Sequence, residues 1–324
     1  METNVNEVET VIKDMGKKPM NKLSKLIKKI LSQKQLQLMA LLGLAWMLVF
    51  NYAPMVGLQI AFKDYNIIKP MSEAPWVGLK HFKAFLEDEN FWSSVKNTLG
   101  LSIYSLVITF PLPIIFALFL NEIKSVKYKK FVQTVSYLPH FLSWVILGGM
   151  LTNWLSDVGI INKIFIALNI IKEPIYFLGE PQYFWGLAII SNIWKELGWS
   201  AIIYLAAISS IDPEMYEAAT VDGAGRFRKM WSITLPSIRP TISMLFILAV
   251  AGVLNSNFDQ IFVLRNSLNQ PTSEVIDIFV YRMGLQMGRH SYATAIGMFK
   301  SVIAFILLFT ANKINNKISG SSIL

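Results

Sequence analysis

Six stretches of this chain, roughly 36–62, 97–120, 131–155, 183–211, 238–262 and 291–311, are mostly apolar over twenty or more positions. A bilayer core about 30 Å thick is crossed by about 20 such residues in a helix, so each run is long enough to span it. The composition agrees: 53% of the 324 residues are hydrophobic and 16% are charged, with a mean hydropathy of +0.45. Soluble domains carry about 25% charged residues. The expected fold is therefore all-α and integral to the membrane, with six transmembrane helices bundled over residues 36–318.

The excess of basic residues sets an orientation. Segments 1–35, 121–130, 212–240 and 312–324 hold 18 lysines and arginines, whereas 63–96, 156–182 and 263–289 hold 10 over a similar length. Cytoplasmic loops are the lysine- and arginine-rich ones, so both termini are expected inside. The net charge of +9 then reflects topology rather than nucleic-acid binding, for no basic recognition module accompanies it. Within 1–35, NKLSKLIKKILSQK gathers Leu23, Leu26, Ile27, Ile30 and Leu31 on one helical face, which suits an amphipathic helix lying along the inner membrane surface. Residues 319–324 form a short tail. The first apolar run is too long for a signal-peptide core and is expected to stay in the protein.

Cysteine is absent, which excludes disulfides, thiolate metal sites and cysteine nucleophiles. His81, His140 and His290 lie far apart and lack metal-ligand spacing, and His140 alone in the third span is expected to be a satisfied core residue. No GxSxG is present, so no catalytic residue is nominated. Pro54, Pro111 and Pro113 fall inside spans, where they must interrupt the backbone ladder.

Residues 217–236, EAATVDGAGRFRKMWSITLP, are far too polar for a bilayer core. Asp212 ahead of Pro213 provides a cap and a first-turn proline, and DGAG supplies glycines that end a helix and reverse the chain. RFRKMWSI is expected to form a second short helix, stopped by Leu235-Pro236. A protruding helix–turn–helix of this composition suits a protein partner better than a plain turn.

This segment resembles the cytoplasmic EAA loop of permease subunits of ATP-binding-cassette importers, and DGAG resembles its carbohydrate branch. The likeness extends through NYAPMVGLQIAFKDYN and FDQIFVL…SEVIDIFVYRMGL…SYATAIGMFKSVI, as in the polysaccharide and lipopolysaccharide type of permease. It implies the six-helix type I importer fold, with a cytoplasmic coupling helix in loop 212–237 that docks on an ATPase through Glu217, Ala218, Ala219, Asp222, Gly223 and Ala224. It also implies a second homologous permease, two cytoplasmic ATPase subunits, an extracellular solute-binding protein and an oligosaccharide as cargo. This chain has no GxxxxGK[ST], so ATP and magnesium are expected on the partner ATPase, with no cofactor here.

Ionisable groups at bilayer depth are costly and mark function by default. Asn192, Lys195, Glu196 and Trp199 fall at i, i+3, i+4 and i+7, on one face of the fourth span. By position they match the sugar-contacting residues of maltose-type permeases, as does Asn257, with Asn255 and Asp259 nearby. Relatives carry apolar or small residues at 195 and 196, so the charged pair is a departure that points to a cargo other than a neutral disaccharide, and the basic balance of the chain hints at uronates. The alternative is structural: an ion pair between Lys195 and Asp259, or between Glu196 and a neighbour, beside an interfacial tryptophan. Asn97 and Thr98 are expected to cap a helix or bond a neighbour. Permeases for non-sugar solutes, and a membrane enzyme acting on lipid-linked sugar, remain as rivals.

Overall fold

The computed structural model describes residues 32–68 and 70–319, so the expected interfacial helix within 1–31 and the tail beyond 319 lie outside the described residues. The chain divides into two compact units, Met1–Gln59 and Ile60–Leu324. In the first, helix α1 (Lys34–Met47) widens into a π turn at Leu48–Tyr52 and tightens into 3-10 winding from Ala53 to Phe62. The change of winding flanks Pro54, which has no N–H to give to the carbonyl one turn back. Leu36, Leu38, Leu41, Leu42 and Trp46 along it are all more than half exposed, as befits a surface whose solvent is lipid.

In the second unit, α2 (Lys80–Leu86) leads to α3 (Glu89–Thr109), capped by the Asp88 carboxylate on Asn90 N–H. The ladder lapses at Phe110 before α4 (Pro111–Asn121), where Pro111 and Pro113 withhold donors. Next come α5 (Val126–Tyr137), a 3-10 turn at Leu138–Phe141, α6 (Trp144–Trp154) capped by Ser143, and α7 (Ile160–Ala167). Helix α8 (Pro181–Ser209) runs unbroken for 29 residues. Helix α9 (Pro213–Val221) and α10 (Arg226–Lys229) form the polar elbow, and α10 continues through a π turn at Met230–Thr234 and a last turn at Leu235–Ser237. Helices α11 (Arg239–Ala251), α12 (Phe258–Leu264), α13 (Ile276–Tyr281) and α14 (His290–Ser319) complete the chain.

Among the described residues, Lys34–Phe62, Glu89–Asn121 and His290–Ile314 are long and apolar enough to cross a membrane. Val126–Phe141 with Trp144–Trp154, bent by 98°, and Arg226–Ser237 with Arg239–Ala251, bent by 61°, raise the count to five if each pair is one span. Two expected spans thus depart from straight helices: 131–155 folds back at Leu142, and 238–262 ends at Ala251 and restarts at Phe258. The remaining stretch, 183–211, is α8, whose Asn192, Lys195 and Glu196 lower its hydropathy.

Apolar packing concentrates in three clusters. One joins Leu101 of α3, Phe184 and Ala188 of α8, Ile261 of α12 and Ile278 of α13. A second stacks Phe85, Phe91, Phe279 and Tyr292. The third seats the elbow, with Met230 and Ile238 packed against Ala117, Leu118, Ala201 and Tyr204. Helices approach closely where side chains vanish: a Cβ on Gly198 of α8 would lie 2.3 Å from the Ser136 carbonyl oxygen of α5.

Candidate functional site

Between α11 and α12 the chain leaves the helix over Gly252–Asn257. Gly252 ends α11, and the Asn257 side chain caps α12 by accepting from Gln260 N–H. This break forms one wall of a cleft of about 340 Å³, faced by Ser102, Ser105 and Thr109 of α3 and by Asn192 of α8. Asn255, Ser256 and Asn257 line it from the broken side. Polar, irregular backbone at membrane depth is tolerated where it borders a cavity, as it does here. Gln260, also in the lining, donates from Nε2 to the Ala188 carbonyl at 2.6 Å and to Ser191 Oγ at 2.9 Å, tying α12 to α8.

Two further clefts continue along α8. One of about 70 Å³ shares Thr109 and Asn192 with the first and adds Glu196 and Ser200. One of about 450 Å³ shares Thr109 and Ser200 with that and is walled by Trp199 and Tyr204. Of the pathway residues expected from sequence, Asn192, Glu196, Trp199, Asn255 and Asn257 therefore border these adjoining clefts. Lys195 is buried beside it, whereas Asp259 is exposed on the first turn of α12 and lines none of the three.

The charged pair has partners that sequence spacing did not suggest. Lys195 Nζ donates to the His140 carbonyl oxygen at 2.5 Å and stands 3.5 Å from the Glu196 carboxylate. Glu196 lies 2.7 Å from His140 Nδ1, and the imidazole stacks on the Trp199 indole at 4.2 Å and 3°. The alternative pairing of Lys195 with Asp259 is not the one formed, while Glu196 does bond a neighbour. His140 is thus satisfied, as expected, but as a half-buried member of this cluster rather than a core residue. Its carbonyl comes free because Leu138–Phe141 winds as a 3-10 turn ahead of the 98° bend. A polar residue beside Pro139 in mid-span was the available signal. Asn97 and Thr98 bond neighbours as expected: Asn97 Nδ2 donates to the Pro271 and Glu274 carbonyls, and Thr98 Oγ1 accepts from Ile276 N–H.

The elbow follows its sequence. The Asp212 carboxylate accepts from Glu214 N–H at 3.0 Å with Pro213 in the first turn, and α9 ends at Asp222. Gly223 has φ +75, the left-handed conformation that closes a helix and that side chains resist. Two contacts brace the arms: Tyr216 hydroxyl with Thr234 Oγ1 at 2.9 Å, and Lys229 Nζ to Thr220 Oγ1 at 2.5 Å. Glu217, Ala218, Asp222 and Gly223 are exposed, and Ala219 and Ala224 half-buried. Val221 is 90% exposed, and Phe227 and Trp231 are 67% exposed. Phe227 and Trp231 share one apolar groove with Ile115 and Phe119 of α4.

Residues 93–320 match the family described as binding-protein-dependent transport system inner membrane component. The chain belongs to that family. The permease is 44% identical over 303 residues to the polygalacturonan/rhamnogalacturonan transport system permease protein YteP of Bacillus subtilis (strain 168), covering 93% of this chain and 94% of YteP. It is likewise 44% identical over 285 residues to protein LplB of the same organism, covering 88% and 89%. Among solved structures it resembles a bacterial ABC transporter involved in the import of the acidic polysaccharide alginate, with TM-score 0.84 and 41% identity over 91% of this chain and 99% of that one. A bacterial alginate ABC transporter in complex with an alginate pentasaccharide-bound periplasmic protein gives TM-score 0.85 and 40% identity, covering 92% and 100%.

Proposed function

We propose that this chain is a permease subunit of an ATP-binding-cassette importer that moves an oligosaccharide across the plasma membrane of a bacterium by alternating access. The observation that carries this is the row of three adjoining clefts along α8, bordered by amides, hydroxyls, an indole and the Glu196 carboxylate. Amides and hydroxyls bond sugar hydroxyls, and an aromatic face stacks on a sugar ring. The transport roles named for YteP and for the alginate importers support an acidic glycan, delivered by an external binding protein.

The full reading has six spans with α8 as the fourth, both termini cytoplasmic and a second homologous permease completing the path. Glu217, Ala218, Ala219, Asp222, Gly223 and Ala224 would seat in a cleft on one cytoplasmic ATPase, supported by the exposure of four of them on a braced elbow. ATP and magnesium then belong to that partner, and closure of the nucleotide-bound dimer moves α9 and the spans attached to it.

The test is uptake by the assembled transporter in proteoliposomes, with labelled uronate oligosaccharides, neutral oligosaccharides and peptides offered in parallel. Preference for the uronates with ATP turnover by the partner is expected. Peptide uptake, or chemical turnover of a lipid-linked sugar by the isolated chain, would overturn the proposal. For the elbow, Gly223→Val should abolish co-purification of the ATPase, and undiminished co-purification would remove the coupling assignment.

A further inference from the structure

The break at Gly252–Asn257 forms a wall of the cleft, so something must hold it in place. Its own backbone bonds are local, from Gly252 N–H to Leu248, Val253 N–H to Val250 and Asn255 N–H to Gly252. Among the described residues, the one hydrogen bond tying the segment to another helix is Ser256 N–H to Asp277 Oδ2, at 3.0 Å. Asp277 stands in the first turn of α13, where the helix dipole favours a carboxylate. Its other oxygen, Oδ1, pairs with Lys300 of α14. The two side chains are only 22% and 15% exposed. Lys300 also borders an apolar groove lined by Leu254, Phe91 and Ile296.

These contacts make a relay of three elements. A carboxylate set among apolar groups is costly unless it is paired. Lys300 meets one oxygen of Asp277 and Ser256 N–H meets the other, so the ion pair holds the acceptor oriented toward the broken segment. Ser256 Oγ is buried with no hydrogen-bond partner among the described residues, so the bond that ties this residue to another helix is the one from its backbone N–H.

We infer that Asp277 is a positioning residue for the solute path: paired with Lys300, it fixes the broken segment so that Asn255 and Asn257 face the cleft. This rests on the cleft being the solute path, as proposed above. Lys300 gives the last span a direct hold on that wall, so a shift of α14 is felt at the cleft without passing through α8.

The chain has no cysteine, so one introduced thiol reports on the segment cleanly. Val253 lines the cleft and carries no assigned role, which makes Val253→Cys the reporter. In the transporter assembled with its partner subunits, the labelling rate by a small polar maleimide should rise about tenfold in Asp277→Leu, as expected for losing one hydrogen bond to a charged acceptor. Lys300→Met should raise it in the same direction. The exchanged pair Asp277→Lys with Lys300→Asp keeps opposite charges but offers Ser256 no acceptor, so it should label as fast as Asp277→Leu. Wild-type labelling in Asp277→Leu or in the exchanged pair would overturn the anchor, and wild-type labelling in Lys300→Met would overturn the relay. KM for uronate oligosaccharide should rise severalfold in the same variants with Vmax less affected. If the solute assignment fails there is no saturable uptake to measure, and the labelling rates still decide the anchor.

Discussion

The run of long helices is interrupted twice within twenty-five residues, the second time with a single helical turn at Gln270–Ser273, and the two interruptions are held in very different ways. Over Arg265–Val275 the chain is fastened on every side. Asn266 and Asn269 donate to the Leu178 carbonyl, Thr272 Oγ1 to Pro181, Trp185 Nε1 to the Thr272 carbonyl and Asn97 to two further carbonyls. Glu274, buried at its centre, pairs with Arg265 at 3.1 Å and Arg282 at 2.8 Å. Over Gly252–Asn257 a single carboxylate makes the link to another helix among the described residues. Regions that open easily are those with few buried contacts and few cross-links. The densely bonded bend is a frame, and the sparsely bonded break beside the cleft is the part free to change shape.

The strongest attack on this contrast is Glu274→Ala, which strands two arginines only a fifth exposed. Unpairing a buried ion cluster costs about 3 kcal/mol or more, so the thermal midpoint of the purified transporter should fall sharply. Asn97→Ala comes next: with two carbonyls left unpaired, a loss of about 2 kcal/mol is expected in the same melt. Asn257→Ala removes only the cap of α12, worth about 1 kcal/mol or less, yet should raise KM for solute severalfold. A frame variant that alters KM at unchanged stability, or a break variant that unfolds the protein, would erase the distinction.

The smallest effect concerns Asp88, which joins the start of α3 to Tyr292 of α14 at 2.7 Å. Burial pushes its carboxyl up, but hydrogen bonds from the Tyr292 hydroxyl and from Asn90 together bring it below the ordinary aspartate value of 3.8. A carboxyl lowered by folding stabilises the protein above its unfolded value, and that contribution disappears as pH falls through the folded one. The melt of the wild type should therefore lose stability below about pH 4, and Asp88→Asn should show a shallower acid slope.

Much of this was legible from residue order. The apolar runs mark where the long helices lie, and Asp212-Pro213 and the DGAG turn mark the elbow to within a residue or two, because caps and left-handed glycines act on their immediate neighbours. The breaks at Leu142 and Gly252 were hidden, since both lie inside stretches apolar enough to read as continuous. His140 was hidden for another reason. Its partner Glu196 is 56 positions away, and Lys300 stands 23 from Asp277, separations that no local pattern encodes. Asp259 was nominated by proximity to Asn257, but two residues on a helix differ by more than half a turn of direction.

Helix α8 has the opposite character to the break it faces. It is unbroken for 29 residues, and Asn192 and Trp199 stand two turns apart on it, about 10 Å along the axis. On the proposed path, a sugar chain drawn along that edge would meet an amide and then an indole at an interval that cannot stretch. However the opposite wall moved, that spacing would remain a fixed yardstick for the cargo.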